Sequence, residues 1–485
     1  MPESYQMYIN GEWVDAIGSE TFEDYNPYSG EVFARIASGK REDAKKACDA
    51  AAVAFPTWSQ TLPAERQRYF LKAADILEKR QQDILKIMTE ETGGTFGWGM
   101  FQTGFIPGLL REAAAQVHAI TGEIIPADLP GAFFMAIRQP VGVVAGIAPW
   151  NAPLILSLRA VALPMACGNT TVLKPSSEAP VSGGIIFAEI FEEAGFPKGV
   201  FNVVTNGPGF SEEVGDELIE HPNVRRLSFT GSTEVGRQVA EKAGRHLKKV
   251  TLELGGSDPL IVLRDADIDY AVNAATFGRF NHQGQICMSS KRIIVEKSVA
   301  EDFTAKFLKK VQGLKVGDPQ APDTIIGPLI NQGQVDKIHN QVEKAIKSGA
   351  KLLCGGKYDG RCYYPTVLAD VTPDMNVANE ETFGPVAPII IVEDADEAVR
   401  VANDTRFGLS AGVITGDFQK GLEIAERLES GMVHINDSSL HDEPQVPFGG
   451  IKESGYGRHG GRAAIEEFTE LRWISIQKTP RQYPF

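Results

Sequence analysis

From residue 141 onward the chain alternates short apolar runs with helical stretches, and this rhythm limits its fold more than any other feature. Residues 141–148 form a continuous run of small apolar residues, as in a strand that is buried on both faces. A helical stretch at 153–166 follows. The order then repeats, with predicted strands at 170–174, 201–204 and 224–229 and predicted helices at 181–194 and from about 233. Repeated strand–helix units predict a doubly wound α/β arrangement.

The rest of the chain adds a second lobe and further β segments. A predicted helix at 267–280, a strand at 291–295 and a helix at 299–313 begin another α/β lobe, which ends near residue 436. Ahead of the first lobe, Asn10-Gly11 predicts a hairpin within 5–14, and residues 41–91 have the apolar spacing of helices. Residues 118–138 alternate like an extended hairpin, and the tail at 468–476 is also strand-like. Exposed strands of this kind are edges at which chains pair.

Composition narrows the class of partner and the compartment. The chain has 485 residues, 43% of them hydrophobic, and a net charge of −15. This predicts a soluble globular protein of two or three domains and argues against a nucleic-acid partner, since phosphate binding favours a basic face. The five cysteines lack metal-binding spacing, the first residues carry no recognisable signal sequence, and no apolar run reaches the ~18–20 residues of a membrane span. We expect a cytoplasmic protein with no metal site and no membrane partner.

A cysteine and a glutamate carry the strongest chemical signal. Cys287 follows a glycine-containing turn, which can present its sulfur openly. Glu253 lies 34 residues earlier, at a strand end before Gly255-Gly256, where it can take a proton from water or from a thiol. Together the two residues indicate covalent catalysis through a thioester that is relieved by hydrolysis.

Five further motifs give these two residues a context. They are Pro149-Trp150-Asn151-Ala152-Pro153, Val172-Leu173-Lys174-Pro175-Ser176, Phe229-Thr230-Gly231-Ser232-Thr233-Glu234-Val235-Gly236, Glu381-Thr382-Phe383-Gly384-Pro385 and Pro447-Phe448-Gly449-Gly450. With them, the chain resembles the aldehyde dehydrogenase superfamily over nearly its whole length. The stretch 435–450, and Ala152 in place of a commoner phenylalanine, look like the benzaldehyde, vanillin and salicylaldehyde dehydrogenase branch. The resemblance implies NAD(P)-dependent oxidation of an aromatic aldehyde to the carboxylic acid.

The resemblance also implies a domain organisation. Residues 1–117 and 139–250 would form a Rossmann-like dinucleotide-binding domain, to which 437–461 returns. Residues 251–436 would form a second α/β domain, the catalytic domain. The hairpin 118–138 and the tail 462–485 would form a small β oligomerisation extension, so that a homodimer or homotetramer is expected.

The implied dinucleotide site lacks the common GxGxxG fingerprint. A helix N-terminus near Thr233 and the Ser232 hydroxyl can hold pyrophosphate oxygens instead, and Lys174 would bind the adenosine ribose. Ser177 stands where the family often decides between cofactors, and a serine neither repels a 2′-phosphate nor strongly demands a free 2′-hydroxyl. We therefore expect NADP to be tolerated beside NAD. The implied cofactor ligands are Trp150, Lys174, Ser177, Gly207, Gly231, Ser232, Gly236, Glu381 and Phe383.

The resemblance assigns the chemistry to three residues. Cys287 attacks the aldehyde carbon, the Asn151 amide and the Cys287 backbone N–H stabilise the oxyanion, and Glu253 activates the water that releases the acid. Glu253 also favours hydrolysis over transfer to coenzyme A, because CoA-acylating relatives typically lack this glutamate. The family pattern places no base at His282.

The aldehyde itself is less explicit in the sequence. The candidates for lining the substrate tunnel are mostly apolar, which favours an uncharged aromatic substrate: Leu156, Arg159, Ile286, Met288 and Phe448. Arg159 supports an alternative, because succinic semialdehyde dehydrogenases carry an arginine there. They usually add a second arginine, for which this chain has Asn281. Arg159 serves a structural ion pair just as well. A thiol esterase or a structural protein of the same fold is the alternative from another class.

Overall fold

The N-terminal part of the protein combines small strands with long helices. The computed structural model describes residues 2–485, and Met1, the first residue of the segment in which no signal sequence is expected, lies outside the described residues. The elements are β1 Glu3–Tyr5, β2 Met7–Ile9, β3 Glu12–Val14, β4 Thr21–Tyr25, β5 Val32–Ala37, α1 Arg41–Gln60, α2 Pro63–Lys79, α3 Gln81–Thr92, α4 Phe96–Gln116, β6 Glu123–Ile125 and β7 Ala132–Pro140. The predicted hairpin between β2 and β3 is confirmed, with φ of +56° at Asn10 and +73° at Gly11, as a two-residue hairpin turn of type I′ requires.

The alternating region follows the predicted order closely. Its elements are β8 Val143–Ile147, α5 Pro153–Ala166, β9 Thr170–Lys174, α6 Ile186–Ala194, β10 Phe201–Val203, α7 Ser211–Glu220, β11 Val224–Thr230, α8 Thr233–Arg245 and β12 Lys249–Glu253. The predicted helix at 181–194 begins with a π-helical turn, Val181–Ile185, before α6. Pro153 begins α5 because its fixed φ and missing N–H suit the first helical position.

The second lobe repeats the strand–helix alternation and then returns to the first. Its elements are β13 Asp258–Val262, α9 Ile268–Phe280, β14 Ser290–Glu296, α10 Lys297–Gln312, α11 Gln332–Lys347, β15 Lys351–Cys354, β16 Tyr358–Asp359, β17 Cys362–Tyr363, β18 Thr366–Ala369, α12 Asn376–Asn379, β19 Val386–Val392, α13 Ala395–Asn403, β20 Phe407–Gly408, β21 Ser410–Ile414, α14 Phe418–Arg427 and β22 Met432–Ile435. The C-terminal part adds β23 Ile451–Lys452, β24 Gly455–Tyr456, α15 Gly461–Phe468 and β25 Thr469–Gln477.

Two large sheets carry these elements. Within residues 2–485, the first sheet has the order β24-β12-β11-β8-β9-β10-β2-β3, and its five central strands from β12 to β10 are parallel. The second has the order β15-β18-β19-β14-β13-β21-β22. The predicted domain limit at 250 falls inside β12, which pairs in the first sheet up to Glu253. The remaining domain limits stay predictions.

The strand order of the first sheet creates a crevice. From β8 the chain proceeds to β9 and β10 on one side and then crosses to β11 and β12 on the other. The loops that leave the carboxyl ends of β8 and β11 therefore turn in opposite directions. The crevice between two such loops is where ligands bind in open α/β sheets. Residues 149–151 and 231–232 lie in these two loops.

The amino edge of the second sheet faces this crevice. Cys287 precedes β14, and Glu381 and Phe383 precede β19. The backbone N–H of Gly256, between β12 and β13, donates to the Glu381 carboxylate at 3.1 Å. The two sheets therefore bring together loops that lie more than a hundred residues apart in the sequence.

The predicted hairpin and tail form a separate small sheet in the order β25-β7-β6, with β25 antiparallel to β7 over nine residue pairs from Thr469 to Gln477. The elements expected at 118–138 and 468–476 are thereby confirmed as strands of one sheet. Among residues 2–485, no helix combines the length and apolar character needed to cross a membrane.

Candidate active site

A cavity lies at the crevice between the two lobes. It encloses about 650 Å³ of empty space, including its open mouth. Its walls come from both sheets and from α11, and they comprise Pro149, Trp150, Asn151, Leu156, Thr230, Gly231, Ser232, Leu254, Gly255, Cys287, Gln334, Lys337, Glu381 and Phe383. The cavity therefore contains the predicted nucleophile, the predicted oxyanion donor and several predicted cofactor ligands.

A strained turn presents Cys287 to the cavity. His282, Gln283 and Gly284 have φ of +49°, +54° and +72°, and two of them are not glycine. A Cβ on Gly284 would collide with the Gly384 carbonyl group, so this turn requires glycine there. Cys287 follows the turn and is half-buried. Burial raises the pKa of its thiol to about 12, while the positive charge of Lys291 opposes this rise.

Glu253 ends β12 in an environment that favours proton uptake. The residue is 3% exposed, and neither carboxylate oxygen has a hydrogen-bond partner within residues 2–485. Burial raises the pKa of Glu253 well above its ordinary value, and the charges of Arg159 and Arg458 oppose this shift only partly. A buried, unpaired carboxylate is a strong base.

Asn151 connects the first sheet to the nucleophile turn. The side-chain Nδ2 of Asn151 donates to the backbone carbonyl oxygen of Gln285 at 2.9 Å. The backbone carbonyl oxygen of Asn151 accepts from Trp98 Nε1 at 3.1 Å. One N–H of the amide is thus used for positioning. The second N–H is available to an oxyanion on a substrate.

His282, which lies near Cys287 in sequence, packs against Trp98. Its ring is buried and stacks on Trp98 with centroids 5.0 Å apart. Burial lowers the pKa of His282 to about 3. An imidazole with so low a pKa is a weak base, which favours the prediction that His282 does not deprotonate the cysteine.

The predicted cofactor ligands divide into two groups. Trp150, Gly231, Ser232, Glu381 and Phe383 line the cavity, where the rings of Trp150 and Phe383 meet edge to face at 5.7 Å. Outside the cavity walls lie Lys174, Ser177, Gly207 and Gly236. A Cβ on Gly207 would lie 2.9 Å from Ser38 Oγ, and one on Gly236 would lie 2.3 Å from Leu254 Cδ2. A larger residue at either position would therefore require these neighbours to shift.

The remaining geometry fits a nicotinamide dinucleotide. Ser232 caps the N-terminus of α8, a helix of 13 residues, and leaves the positive end of the helix dipole at the cavity. Lys174 ends β9 and donates to the Pro175 carbonyl oxygen at 3.2 Å, with further N–H donors left for a ligand. Burial lowers the pKa of Lys174 to about 8. Gly255 lets the Glu381 carboxylate approach the backbone, since a Cβ there would lie 2.6 Å from Oε2.

Four of the five predicted substrate residues are buried apolar side chains. Leu156, Ile286, Met288 and Phe448 are buried in one apolar cluster, against which Cys287 packs. Leu156 also lines the cavity. Ile286 and Met288 precede and follow Cys287 in the chain, so buried apolar residues flank the nucleophile on both sides.

Arg159 is held in an ion pair. Its Nη2 lies 2.6 Å from Asp442 Oδ2, and each side chain is 4% exposed. Its guanidinium group stacks over the Phe448 ring at 4.4 Å. The charge of Arg159 is therefore balanced by a carboxylate that the sequence analysis did not identify.

Several residues of the site were missed from the sequence. Gln334 and Lys337 line the cavity from α11, whose pattern is that of an ordinary surface helix and carries no signal. Trp98 lies in a helix that was not predicted and reaches Asn151 only in the folded chain. Lys291 did carry a signal, because a lysine in front of the apolar run at 293–295 is unusual in a buried strand.

Comparisons with known proteins identify the family of the chain. A model of the aldehyde dehydrogenase family matches residues 13–474. The vanillin dehydrogenase of Pseudomonas sp. strain HR199 is 47% identical over 476 residues, which cover 98% of each chain. The NAD(+) benzaldehyde dehydrogenase of Pseudomonas putida is 41% identical over 485 residues, which cover 100% of this chain and 99% of the relative.

A solved structure confirms the predicted two-lobed α/β fold. The crystal structure of a salicylaldehyde dehydrogenase from Pseudomonas putida G7, complexed with salicylaldehyde, is 43% identical and matches with a TM-score of 0.98 over 100% of both chains. The family model, the full-length relatives and this structure agree with the motifs in the sequence. The protein therefore belongs to the aldehyde dehydrogenase family.

Proposed function

We propose that this enzyme oxidises aromatic aldehydes, of the benzaldehyde and vanillin type, to carboxylic acids with NAD or NADP. The observation that carries the proposal is the apolar character of the site, because Leu156 lines the same cavity as Cys287, and Ile286 and Met288, which flank Cys287 in the chain, are buried. A planar, uncharged ring suits such surroundings, since apolar pockets bind apolar ligands. The vanillin, benzaldehyde and salicylaldehyde dehydrogenases to which the chain is similar support the same substrate class.

The first half of the proposed reaction builds a covalent bond to the enzyme. The thiolate of Cys287 attacks the aldehyde carbon, and the carbonyl oxygen becomes an oxyanion. The free N–H of Asn151 and the backbone N–H of Cys287 donate to it, and losing one such donor typically costs about 2.7–4 kcal/mol of barrier. A bound nicotinamide supplies the hydride acceptor, so that the substrate remains as a thioester on Cys287.

The second half releases the acid. Glu253 takes a proton from a water molecule, the resulting hydroxide attacks the thioester carbon, and the Cys287 thiolate leaves. General-base assistance of this kind contributes about 10²–10⁴-fold. A buried carboxylate with a raised pKa is suited to accept that proton, and hydrolysis leaves no need for coenzyme A.

A panel of substrates tests the proposal. We expect kcat/KM for benzaldehyde and vanillin to exceed that for succinic semialdehyde and for a medium-chain alkanal by tenfold or more. Initial rates of reduced-cofactor absorbance with NAD and with NADP give these values. A lead for succinic semialdehyde would replace the aromatic proposal with the semialdehyde alternative, and ester hydrolysis without cofactor reduction would favour a thiol esterase. A lack of both activities would favour a structural protein.

The ion pair between Arg159 and Asp442 makes succinic semialdehyde the second candidate substrate, after an aromatic aldehyde. Asp442 already occupies the guanidinium group that a distal carboxylate would need. We expect Asp442→Asn to free this positive charge and to raise kcat/KM for succinic semialdehyde relative to vanillin by about tenfold, which corresponds to roughly 1.4 kcal/mol. Asp437→Asn is the matched control, because Asp437 lies in the same loop but is 43% exposed and pairs with His441. An unchanged ratio in Asp442→Asn would contradict this role of the pair.

The finer cofactor preference rests on Ser177, which is half-buried. We propose that NADP is accepted beside NAD because this serine brings no negative charge to the ribose 2′ position. Ser177→Glu is expected to lower kcat/KM for NADP by at least ~10-fold and to change that for NAD little, since like charges brought together cost several kcal/mol. Ser176→Glu, one residue away, controls for a nonspecific charge effect. Equal losses with both cofactors would refute the assignment.

We also propose that the small β sheet mediates homodimer or homotetramer assembly. Leu471 and Trp473 point to the same face of β25 and are 56% and 65% exposed, and the strand register places Ile125 of β6, which is 38% exposed, on that face as well. Apolar residues of this size in a group mark an interface.

Trp473→Asp should weaken assembly by about 2 kcal/mol or more, as the loss of an interface tryptophan does. Sedimentation of a dilution series measures this, with Phe418→Asp as control because Phe418 is 64% exposed on α14. Identical sedimentation of both variants would contradict the proposal.

A further inference from the structure

Lys291 is a buried cation directly behind the nucleophile. Its side chain is 0% exposed, and a lysine is almost never fully buried unless it is paired. Its Nζ donates to the carbonyl oxygens of Ile286, at 3.1 Å, and of Cys287. The carbonyl group of Cys287 is attached to the same Cα as the thiol side chain. The ammonium group therefore contacts the backbone of the nucleophilic residue itself.

An irregularity in the second sheet aims this side chain. The parallel strands β13 and β14 pair Asp258 with Ser290 and then Pro259 with Arg292, so Lys291 is the extra residue at a register shift. Bulges of this kind redirect a side chain and occur often beside active sites. A regular ladder would place Lys291 in the alternation of the strand. The register shift instead lets it reach back to the turn before β14.

The acidic groups around Lys291 complete the arrangement. Asp258 Oδ2 lies 3.1 Å from Nζ, and Asp258 is fixed in turn by the Ser410 backbone N–H at 2.6 Å. Glu381, a proposed cofactor ligand, lies 3.9 Å from Nζ. Lys291 thus joins the cysteine turn, the start of β13 and a wall of the cofactor cavity at one point.

We propose that Lys291 is a positioning residue of the aldehyde dehydrogenase reaction, which holds the Cys287 turn by its carbonyl groups and supplies the positive charge that stabilises the thiolate. The inference rests on the proposed role of Cys287 as nucleophile. Of the charged groups with the largest influence on this thiol, Lys291 favours the thiolate, whereas Asp258, Glu253 and Glu381 disfavour it. Lys291 opposes the effects of burial and of these carboxyl groups, and without it the nucleophile would ionise at a higher pH.

Alkylation by iodoacetamide measures this directly, because the thiolate displaces iodide and the thiol does not. The rate at Cys287 is followed against pH by mass spectrometry of the peptide that contains it. In Lys291→Met, a variant of similar volume without charge, we expect the pKa of Cys287 to rise by about 1 unit or more and alkylation at neutral pH to fall ~10-fold or more. Lys291→Arg, which keeps the charge, should restore much of the wild-type profile.

Two results would overturn the inference. A Lys291→Met profile that superimposes on the wild-type profile would show that the charge does not act on the thiol. If Lys291→Met does not fold, Asp258→Asn tests the same balance from the opposite side, and alkylation must then become faster at neutral pH. Failure of the proposed nucleophile is seen separately, since Cys287→Ala would then retain aldehyde oxidation, whatever the alkylation profiles are.

Discussion

Cys287→Ala is expected to abolish aldehyde oxidation, with kcat/KM reduced by at least about 10⁴-fold, since removal of a covalent nucleophile removes the pathway itself. The methyl group of alanine fits the half-buried site, and the turn at 282–284 is held by its own backbone conformation, so the fold should be retained. Reduced-cofactor formation with vanillin measures the loss. Binding of the cofactor, followed by fluorescence quenching, should stay close to the wild-type value.

Cys354→Ala is the matched control for this experiment. Cys354 is the other half-buried cysteine, whereas Cys48, Cys167 and Cys362 are buried. It lies on β15 at the edge of the second sheet and accordingly should keep full activity. Retention of substantial oxidation in Cys287→Ala would remove the thioester mechanism and with it the proposed role of Glu253.

Glu253→Gln is expected to separate the two halves of the reaction. The thioester should still form, giving a burst of one equivalent of reduced cofactor, while steady-state turnover falls by about 10²–10⁴-fold because water is no longer activated. Rapid mixing with saturating aldehyde and cofactor resolves the burst from the slow phase. Mass spectrometry of the quenched enzyme should find the acyl group on Cys287.

The pH dependence provides a second test of Glu253. Burial raises its pKa well above the ordinary value, so the carboxylate that accepts a proton becomes populated only as the pH rises through that raised pKa. The hydrolysis rate of the wild-type enzyme should therefore increase with pH over this range, and the slow phase of Glu253→Gln should lose this dependence. Glu296→Gln is the control, because Glu296 is 1% exposed but lies on β14 of the other sheet. Full steady-state activity of Glu253→Gln would refute the assignment.

The predictions that held were those in which local sequence decides the structure. The turn at Asn10-Gly11 needs left-handed backbone, which Asn and Gly adopt readily. The limits of α5 and β9 agree with the predicted 153–166 and 170–174, because Pro153 begins the helix and the apolar strand that follows is buried throughout. Asp267 marks the start of α9, where its side chain accepts a hydrogen bond from the Tyr270 N–H.

Such local patterns could not predict the contacts between segments that are distant in the sequence. Arg159 and Asp442 are 283 residues apart in the sequence, and nothing near Arg159 indicates which acidic residue pairs with it. The contacts of Asn151 with Gln285, and of Lys291 with Asp258, likewise arise only when the two sheets face each other. Propensity and periodicity describe one element at a time, whereas these contacts depend on how the elements pack.

By itself, the sequence determined the family, the alternating α/β order and the residue types that carry the chemistry, because motifs such as those around Cys287 and Glu253 are local strings with fixed backbone requirements. The tertiary structure is needed to learn which side chains of the site are charged and which charges are paired. It neutralises Arg159 with Asp442, leaves Glu253 buried and unpaired, and brings the Lys291 ammonium group to the Cys287 turn. The physical reason is that a charge depends on burial and on neighbours within a few ångströms, and both are set by folding.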